Sequence, residues 1–305
     1  MKIFMTGATG FVGSELTKKL VSEGHTVTLL TRSLKPGNPF GSKADFVEGD
    51  PTKKGKWQEE LLTHDAVINL AGASIFTRWN DQSKKVIINS RIKTTENIAE
   101  AISGGTEGPG IFLSTSAVGY YGFHGDEEVD EEKPHGNDFL ASLSRDWESA
   151  ALKVDTTRTR TCVLRFGIVL GKGGGALKMM LPLFRKYLGS RLGSGRQWFS
   201  WIHIEDLVRA HLFVLEQSSI SGPVNCTAPN PVTNRELTQT LAKVLGRPSF
   251  LPPVPAFVLR LVMGEFGSVL LQGQRAVPKR LLDSGFQFTY PFLEKALEEI
   301  LAKKA

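Results

Sequence analysis

The chain has 305 residues, 41% of them hydrophobic and 22% charged, which are ordinary globular values and exclude a fibre or a disordered tract. Its net charge of +6 is scattered over Lys53-Lys54, Lys84-Lys85, Lys279-Arg280 and Lys303-Lys304, so no nucleic-acid-binding stripe is expected. Two cysteines, Cys162 and Cys226, are too few for a disulfide framework or a metal cluster.

Met1-Lys2-Ile3-Phe4 runs into a glycine turn without an apolar leader region. The most apolar run, from Ala256 to Leu271, is broken by Arg260 and Glu265. The expectation is a soluble, cytoplasmic chain with no membrane span.

Ile3-Phe4-Met5 reads as a first strand, and Phe11 to Ser22 as a helix with Val12, Leu16 and Leu20 at i, i+4 spacing, stopped by Gly24. Strands are predicted at Thr26–Leu30, Asp45–Val47 and Ala66–Leu70, then a long helix from Gln82 to Ile102. After glycine-rich punctuation come a strand at Ile111–Thr115, a helix at Phe139–Leu152 and a strand at Thr161–Phe166. Strands alternating with helices predict an α/β protein with a doubly wound parallel sheet. Beyond Gly171 the texture changes. Gly173-Gly174-Gly175 and Gly193-Ser194-Gly195 punctuate a Met- and Leu-rich piece, and prolines recur from Pro223 to Pro255, which reads as a smaller, loop-rich lobe rather than more sheet.

Gly7, Gly10 and Gly13 form G-x-x-G-x-x-G between the first strand and the first helix. In that context the pattern is a dinucleotide fingerprint. The first glycine allows the tight turn, the backbone approaches a pyrophosphate closely, and the helix N-terminus offers free N–H groups. An NAD enzyme usually places an acid at the end of the second strand, but this chain has Thr31, Arg32 and Ser33. A guanidinium pairs with a 2′-phosphate that a carboxylate would repel, so NADP(H) is predicted over NAD(H).

Thr6-Gly7-Ala8-Thr9-Gly10-Phe11-Val12-Gly13, Asn69-Leu70-Ala71-Gly72 and Leu113-Ser114-Thr115-Ser116-Ala117-Val118-Gly119-Tyr120-Tyr121-Gly122 resemble the extended short-chain dehydrogenase/reductases. Arg78-Trp79-Asn80, Ser90-Arg91, Trp147-Glu148, 164–171, 200–207 and Gly273-Gln274-Arg275 sharpen the likeness to the atypical "epimerase family" branch. Its members are often labelled nucleoside-diphosphate-sugar epimerases or SulA-like cell-division proteins.

The resemblance implies a Rossmann-type domain over 1–170 and a smaller α-rich substrate lobe over 171–305, with 196–220 returning to the Rossmann core. It places cofactor contacts on Gly7, Thr9, Gly10, Phe11, Val12, Gly13, Thr31, Arg32, Leu70, Ala71, Arg91, Ser114, Gly167 and Ile168. Asp50 is a weaker candidate, for an adenine amino group. No known reaction follows from the likeness.

Typical members use a Ser and a Tyr-x-x-x-Lys pair, in which the lysine and the cofactor lower the tyrosine's pKa for proton exchange. Here the Tyr and Lys positions carry Leu140 and Ser144. Ser116 matches the serine. Tyr120 or Tyr121 is left to supply a proton, Tyr121 being preferred for its place before Gly122, with loop packing as the competing reading. His203 is read as a hydrogen-bonded framework residue rather than a base. Arg196, Gln197, Gln274 and Arg275 are candidates for an anionic or polyhydroxy substrate, against plain salt bridges. The 127–132 acidic run is read as a solvated loop, and no spacing suggests a metal.

Two functions compete at this stage. One is an NADP(H)-dependent oxidoreductase or epimerase acting on a small polar carbonyl or sugar-like molecule. The other is a non-catalytic NADP(H)-binding regulator or redox sensor. Either would be a monomer, or a homodimer formed through the helices near 82–102 and 139–152.

Overall fold

The computed structural model describes residues 1–34 and 37–302, so the Lys303-Lys304 pair lies outside it. β1 (Lys2–Thr6) passes through the glycine turn into α1 (Phe11–Ser22), and β2 (Thr26–Thr31), β3 (Ala44–Glu48), α2 (Trp57–Leu61) and β4 (Ala66–Asn69) follow. Next come α3 (Asp81–Gly104), β5 (Ile111–Ala117), a 3-10 turn at Val118–Tyr121, β6 (Glu128–Val129), α4 (Phe139–Ala151), β7 (Arg160–Phe166) and β8 (Ile168–Leu170).

The remaining chain forms α5 (Gly175–Arg185), β9 (Trp198–Phe199), β10 (Trp201–His203), α6 (Ile204–Glu216), β11 (Gly222–Cys226) and β12 (Val232–Thr233). It ends with α7 (Asn234–Val244), α8 (Ala256–Met263), α9 (Phe266–Val269), β13 (Arg275–Ala276), α10 (Lys279–Asp283) and α11 (Leu293–Leu301).

Seven parallel strands form the central sheet in the order β11-β7-β5-β4-β1-β2-β3. The strand order reverses between β1 and β4, and a crevice opens outside the strands' C-terminal ends at such a point. One face of the sheet is covered by α1 and α6 through Leu16, Leu20, Leu207 and Val214. The other is covered by α2, α3 and α4 through Trp57, Leu61, Ile98, Ile102 and Ala151. This is the doubly wound Rossmann-type arrangement.

Pro223 requires a correction. The proline-rich stretch reads from sequence as lying wholly outside the sheet, yet β11 contains Pro223 and pairs with β7 along Gly222–Cys226. β11 is an edge strand, where a missing N–H on the outer side breaks no ladder bond. The return to the core therefore extends beyond residue 220.

A second core, around Leu177, Phe184, Trp201, Leu237, Leu241 and Leu297, joins α5, α7 and α11 in the C-terminal lobe. Trp79, Ile87, Leu143 and Phe266 tie α9 back onto α3 and α4. Among the described residues no helix is long and apolar enough to cross a membrane.

Candidate functional site

The glycine turn lies at the strand-order switch. Gly7 has φ +69°, and a Cβ there would stand 2.5 Å from the Leu70 carbonyl carbon. At Gly13 a Cβ would stand 2.3 Å from the Gly7 oxygen, so those two glycines are demanded by the protein's own packing. Gly10 differs, because a Cβ there would meet only the Gly7 oxygen, at 3.1 Å. Beyond it opens a cleft of ≈ 580 Å³ lined by Thr9, Gly10, Phe11 and Ser14 on the turn's side. Gly10 caps α1 without a side-chain acceptor, which leaves the first N–H groups of that helix available to an anion. Val12 turns into the core beside the sheet.

At the end of β2, Thr31 donates its hydroxyl to the Ser33 carbonyl at 3.0 Å. Arg32 is exposed, and no carboxylate among the described residues forms an ion pair with it. Asp50 folds back on Thr52, accepting from its N–H at 3.0 Å and its hydroxyl at 2.7 Å. Burial pushes the Asp50 carboxyl up, but the Thr52 bonds, with Lys53 and Arg32 nearby, reverse this and leave it below its ordinary value.

Leu70 and Ala71 follow β4 directly against Gly7. Arg91, on α3, reaches the same segment, since a Cβ on Gly72 would stand 3.2 Å from its Cζ. Its guanidinium donates to the Ile87 carbonyl at 3.2 Å and lies 5.2 Å from the Trp147 ring centre. With no carboxylate partner among the described residues, burial pulls its pKa down to about 10. Ser114 is buried beneath this layer, close to Asn69, which accepts from Thr6 at 2.7 Å and donates to Thr95 at 2.9 Å. Ser114 is thus placed as a support under the cleft rather than on its surface.

The face of α4 toward β5 carries Leu140, Ser144 and Glu148, one turn apart. Leu140 packs on the 3-10 turn, where a Cβ on Gly119 would lie 3.3 Å from its own Cβ. Glu148 is buried and accepts from the Ser116 hydroxyl at 2.7 Å. Arg165 grips the same carboxylate with a two-pronged bond, Nε to Oε1 and Nη2 to Oε2, both 2.8 Å. Its Nη1 donates to the Tyr121 hydroxyl at 2.9 Å, and Tyr121 donates onward to Asn225 Oδ1 at 2.7 Å. Burial raises the Tyr121 pKa, with Arg165 only partly opposing it. The Arg165 Cζ sits over the Tyr120 ring, 3.6 Å from its centre.

The two candidate catalytic residues are therefore brought into one network, through Glu148 and Arg165. Both are buried, and both hydroxyls are already engaged. A tyrosine whose proton points at Asn225 is positioned for framework duty, not for proton transfer to a molecule in the cleft.

Gly167 packs against Ser200, where a Cβ would stand 2.7 Å from the carbonyl oxygen, and Ile168 pairs with Trp201. They join the two lobes and do not line the cleft around Thr9 and Gly10. His203 accepts the Glu205 N–H at Nδ1 (3.2 Å), contacts Glu299 at 3.0 Å and packs against the Tyr290 ring, tilted by 40° with ring centres 4.0 Å apart, so it anchors the C-terminal segment as expected of a framework histidine. Gln197 donates to the Leu192 and Leu270 carbonyls, and Arg275 pairs with Glu128 at 2.9 Å over the Trp198 ring. Arg196 is exposed, and Gln274 offers its carbonyl to Ser200.

The acidic run is not uniformly solvated. Glu131 is buried and accepts from the Asn225 and Arg280 N–H groups at 2.9 and 3.2 Å. No metal-binding group of three or more His, Cys, Asp or Glu occurs among the described residues.

Sequence reasoning missed the cleft's other side. Lys172, the Gly173–Gly175 loop and Lys178 lie across from the turn, with Ser74 and Phe76 also on the wall. A run of three glycines flanked by lysines was the available signal.

The profile of the NAD dependent epimerase/dehydratase family matches residues 3–226, and that of a domain of unknown function (DUF1731) matches 254–300. The chloroplastic homolog of epimerase family protein SDR39U1 from Arabidopsis thaliana is 42% identical over 303 residues, covering 99% of this chain and 87% of its own. Epimerase family protein YfhF from Bacillus subtilis is 39% identical, covering 100% of this chain and 99% of its own. The crystal structure of human epimerase family protein SDR39U1 (isoform 2) with NADPH superposes with a TM-score of 0.87 at 37% identity, covering 98% of this chain and 99% of that one. This chain belongs to the NAD dependent epimerase/dehydratase family.

Proposed function

We propose that the protein binds NADP(H) across the glycine turn and uses it in redox chemistry on a small polar carbonyl or sugar-like molecule held between the lobes. The observation that carries the cofactor is Gly10, a glycine that faces open cleft where its neighbours Gly7 and Gly13 face packed backbone. Two guanidiniums without carboxylate partners among the described residues, Arg32 at the end of β2 and Arg91 beside Gly72, supply positive charge for phosphates. The NADPH held by the human relative supports the same reading.

Bound here, a nicotinamide would supply hydride chemistry. On this chain, the N–H groups of α1 and the turn hold the phosphates, and Arg32 selects the 2′-phosphate. Ser116, Glu148, Arg165 and Tyr121 hold the end of β5 and α4 in fixed register. Proton transfer then falls to a group other than the Tyr121 hydroxyl, whose hydrogen is committed to Asn225.

The test is equilibrium binding of NADPH and NADH, followed by NADPH oxidation with a panel of carbonyl compounds. Turnover that survives Tyr121→Phe supports the framework assignment; its loss restores Tyr121 as the acid. A second reading, a non-catalytic NADP(H)-binding regulator, is favoured by the closed α4 face. Tight NADPH binding with no oxidation across the panel would select it.

A further inference from the structure

We propose that Lys172 and Lys178 hold the diphosphate bridge of the bound dinucleotide, so that the C-terminal lobe closes the cofactor cleft from the side opposite the glycine turn. The inference rests on the cofactor reading above and extends it to residues on the other wall.

The argument begins with Phe11, the residue after the open glycine. Its ring is keyed into the loop that leads to α5. A Cβ on Gly174 would stand 2.1 Å from the ring, one on Gly171 2.9 Å and one on Gly175 3.1 Å. Gly175 also holds φ +59°, a conformation that disfavours any side chain. Gly171 and Gly175 are also crowded by Ile204 and the Val169 carbonyl, and Gly174 has no room for a side chain because it lies against Phe11. That contact fixes how closely the C-terminal lobe approaches the turn. Lys172 precedes the glycines, Lys178 lies within α5's first turn, and both line the same ≈ 580 Å³ cleft as Thr9, Gly10 and Ser14.

Charge points the same way. Both lysines are exposed, and neither forms an ion pair with a carboxylate among the described residues. The acid on the cleft wall, Glu15, is paired with Lys18 at 2.7 Å. Across from the lysines are the uncapped N–H groups of α1. A group carrying two negative charges fits between a layer of N–H donors and two ammonium groups, and lysine serves phosphate well as a mobile point charge. Gly173, at φ +77° with no atom within 4 Å of where a Cβ would stand, leaves the space between them clear.

Arg32 and the lysines occupy different ends of the cofactor path, which makes their effects separable. The diphosphate is common to NADPH and NADH, whereas the 2′-phosphate belongs to NADPH alone. Dissociation constants for both cofactors are measured by titration of the intact protein, following nicotinamide fluorescence at low and at physiological salt.

Lys172→Gln with Lys178→Gln is expected to weaken NADPH and NADH by a similar factor, about tenfold or more, and to flatten the salt dependence of both. Lys172→Arg with Lys178→Arg is expected to restore most of the affinity, and the melting temperature of each variant should match that of the parent because both side chains are exposed. Unchanged dissociation constants in the double Gln variant would overturn the proposal while leaving the cofactor reading intact. Loss confined to NADPH would also overturn it, by assigning the lysines to the 2′-phosphate. A parent protein that binds neither cofactor would overturn both.

Discussion

The cofactor cleft and the face of α4 toward β5 both lie toward the C-terminal ends of strands in one sheet, yet they are built on opposite principles. Around the cleft, groups suited to an anion have no carboxylate partner among the described residues: the uncapped start of α1, the exposed Arg32, and Arg91, which donates only to the Ile87 carbonyl. On the α4 face, the corresponding groups are engaged with one another. Ser116 and Arg165 converge on Glu148, and Tyr121 bridges Arg165 and Asn225. Unsatisfied groups near a surface cost little while water can reach them, and they become an asset when a ligand arrives. Satisfied buried groups give rigidity and register instead. The difference teaches that the helix face on which typical relatives carry the Tyr and Lys is closed in this chain, while the cleft beside the glycine turn stays open.

The strongest way to break the comparison is to open the closed side. Glu148→Ala leaves the Arg165 guanidinium buried without its counter-charge and strips the acceptor from Ser116. A loss of about 3–5 kcal/mol in unfolding free energy is expected. Replacing both partners, Glu148→Leu with Arg165→Met, should recover much of that loss, since neither charge is then left alone. Urea denaturation of the three proteins checks this. A single Ala variant as stable as the parent would mean that the network contributes nothing.

The glycine turn offers a sharper contrast within four residues. Gly13→Ala forces a Cβ onto the Gly7 carbonyl and should destabilise the fold by about 1–3 kcal/mol. Gly10→Ala meets only one oxygen at 3.1 Å and should leave stability nearly unchanged while weakening NADPH by tenfold or more, about 1.4 kcal/mol. Thermal melts and NADPH titration separate the two effects. Equal losses of stability would remove the argument that Gly10 is shaped for a ligand.

What the sequence made legible follows the same division. The strand–glycine–helix order could be read because each piece is local: Leu16 and Leu20 repeat at helical spacing, and Gly7, Gly10 and Gly13 lie within one turn. The closed network could not be read, because its bonds join residues far apart in the chain. Glu148 is 17 positions from Arg165, and Tyr121 is 104 positions from Asn225. A tyrosine beside a cofactor motif reads as an acid until its partner is known. Pro223 misled for a related reason, since its tolerance depends on which side of the sheet β11 occupies. The lysine pair was obscured because Gly173–Gly175 reads as loop punctuation, while its close fit to Phe11 emerges only in three dimensions.

Arg32→Ala tests the open side with a smaller effect. Losing a charge-assisted contact to the 2′-phosphate should weaken NADPH by about tenfold and leave NADH unchanged, because the exposed guanidinium is partly screened by solvent. The ratio of the two dissociation constants is the readout. A ratio that stays at the parent's value would move selectivity to another residue.

The smallest expected effect probes how closed the α4 side is, through Glu131, which links Asn225 to the Arg280 backbone. Burial raises its pKa, with the N–H bonds from Asn225 and Arg280 opposing without cancelling the rise. A carboxyl whose folded pKa lies above its unfolded value holds its proton more tightly in the native state. Its contribution to stability is present at low pH and declines as pH rises from the unfolded value, 4.5, through the folded one. The parent should therefore lose a small increment of stability across that range. Glu131→Gln, which keeps an oxygen for the two N–H groups but cannot ionise, should lack that increment. Urea midpoints taken across the range compare the two proteins directly. Parallel curves would show that water reaches Glu131, and that the closed region ends at Asn225.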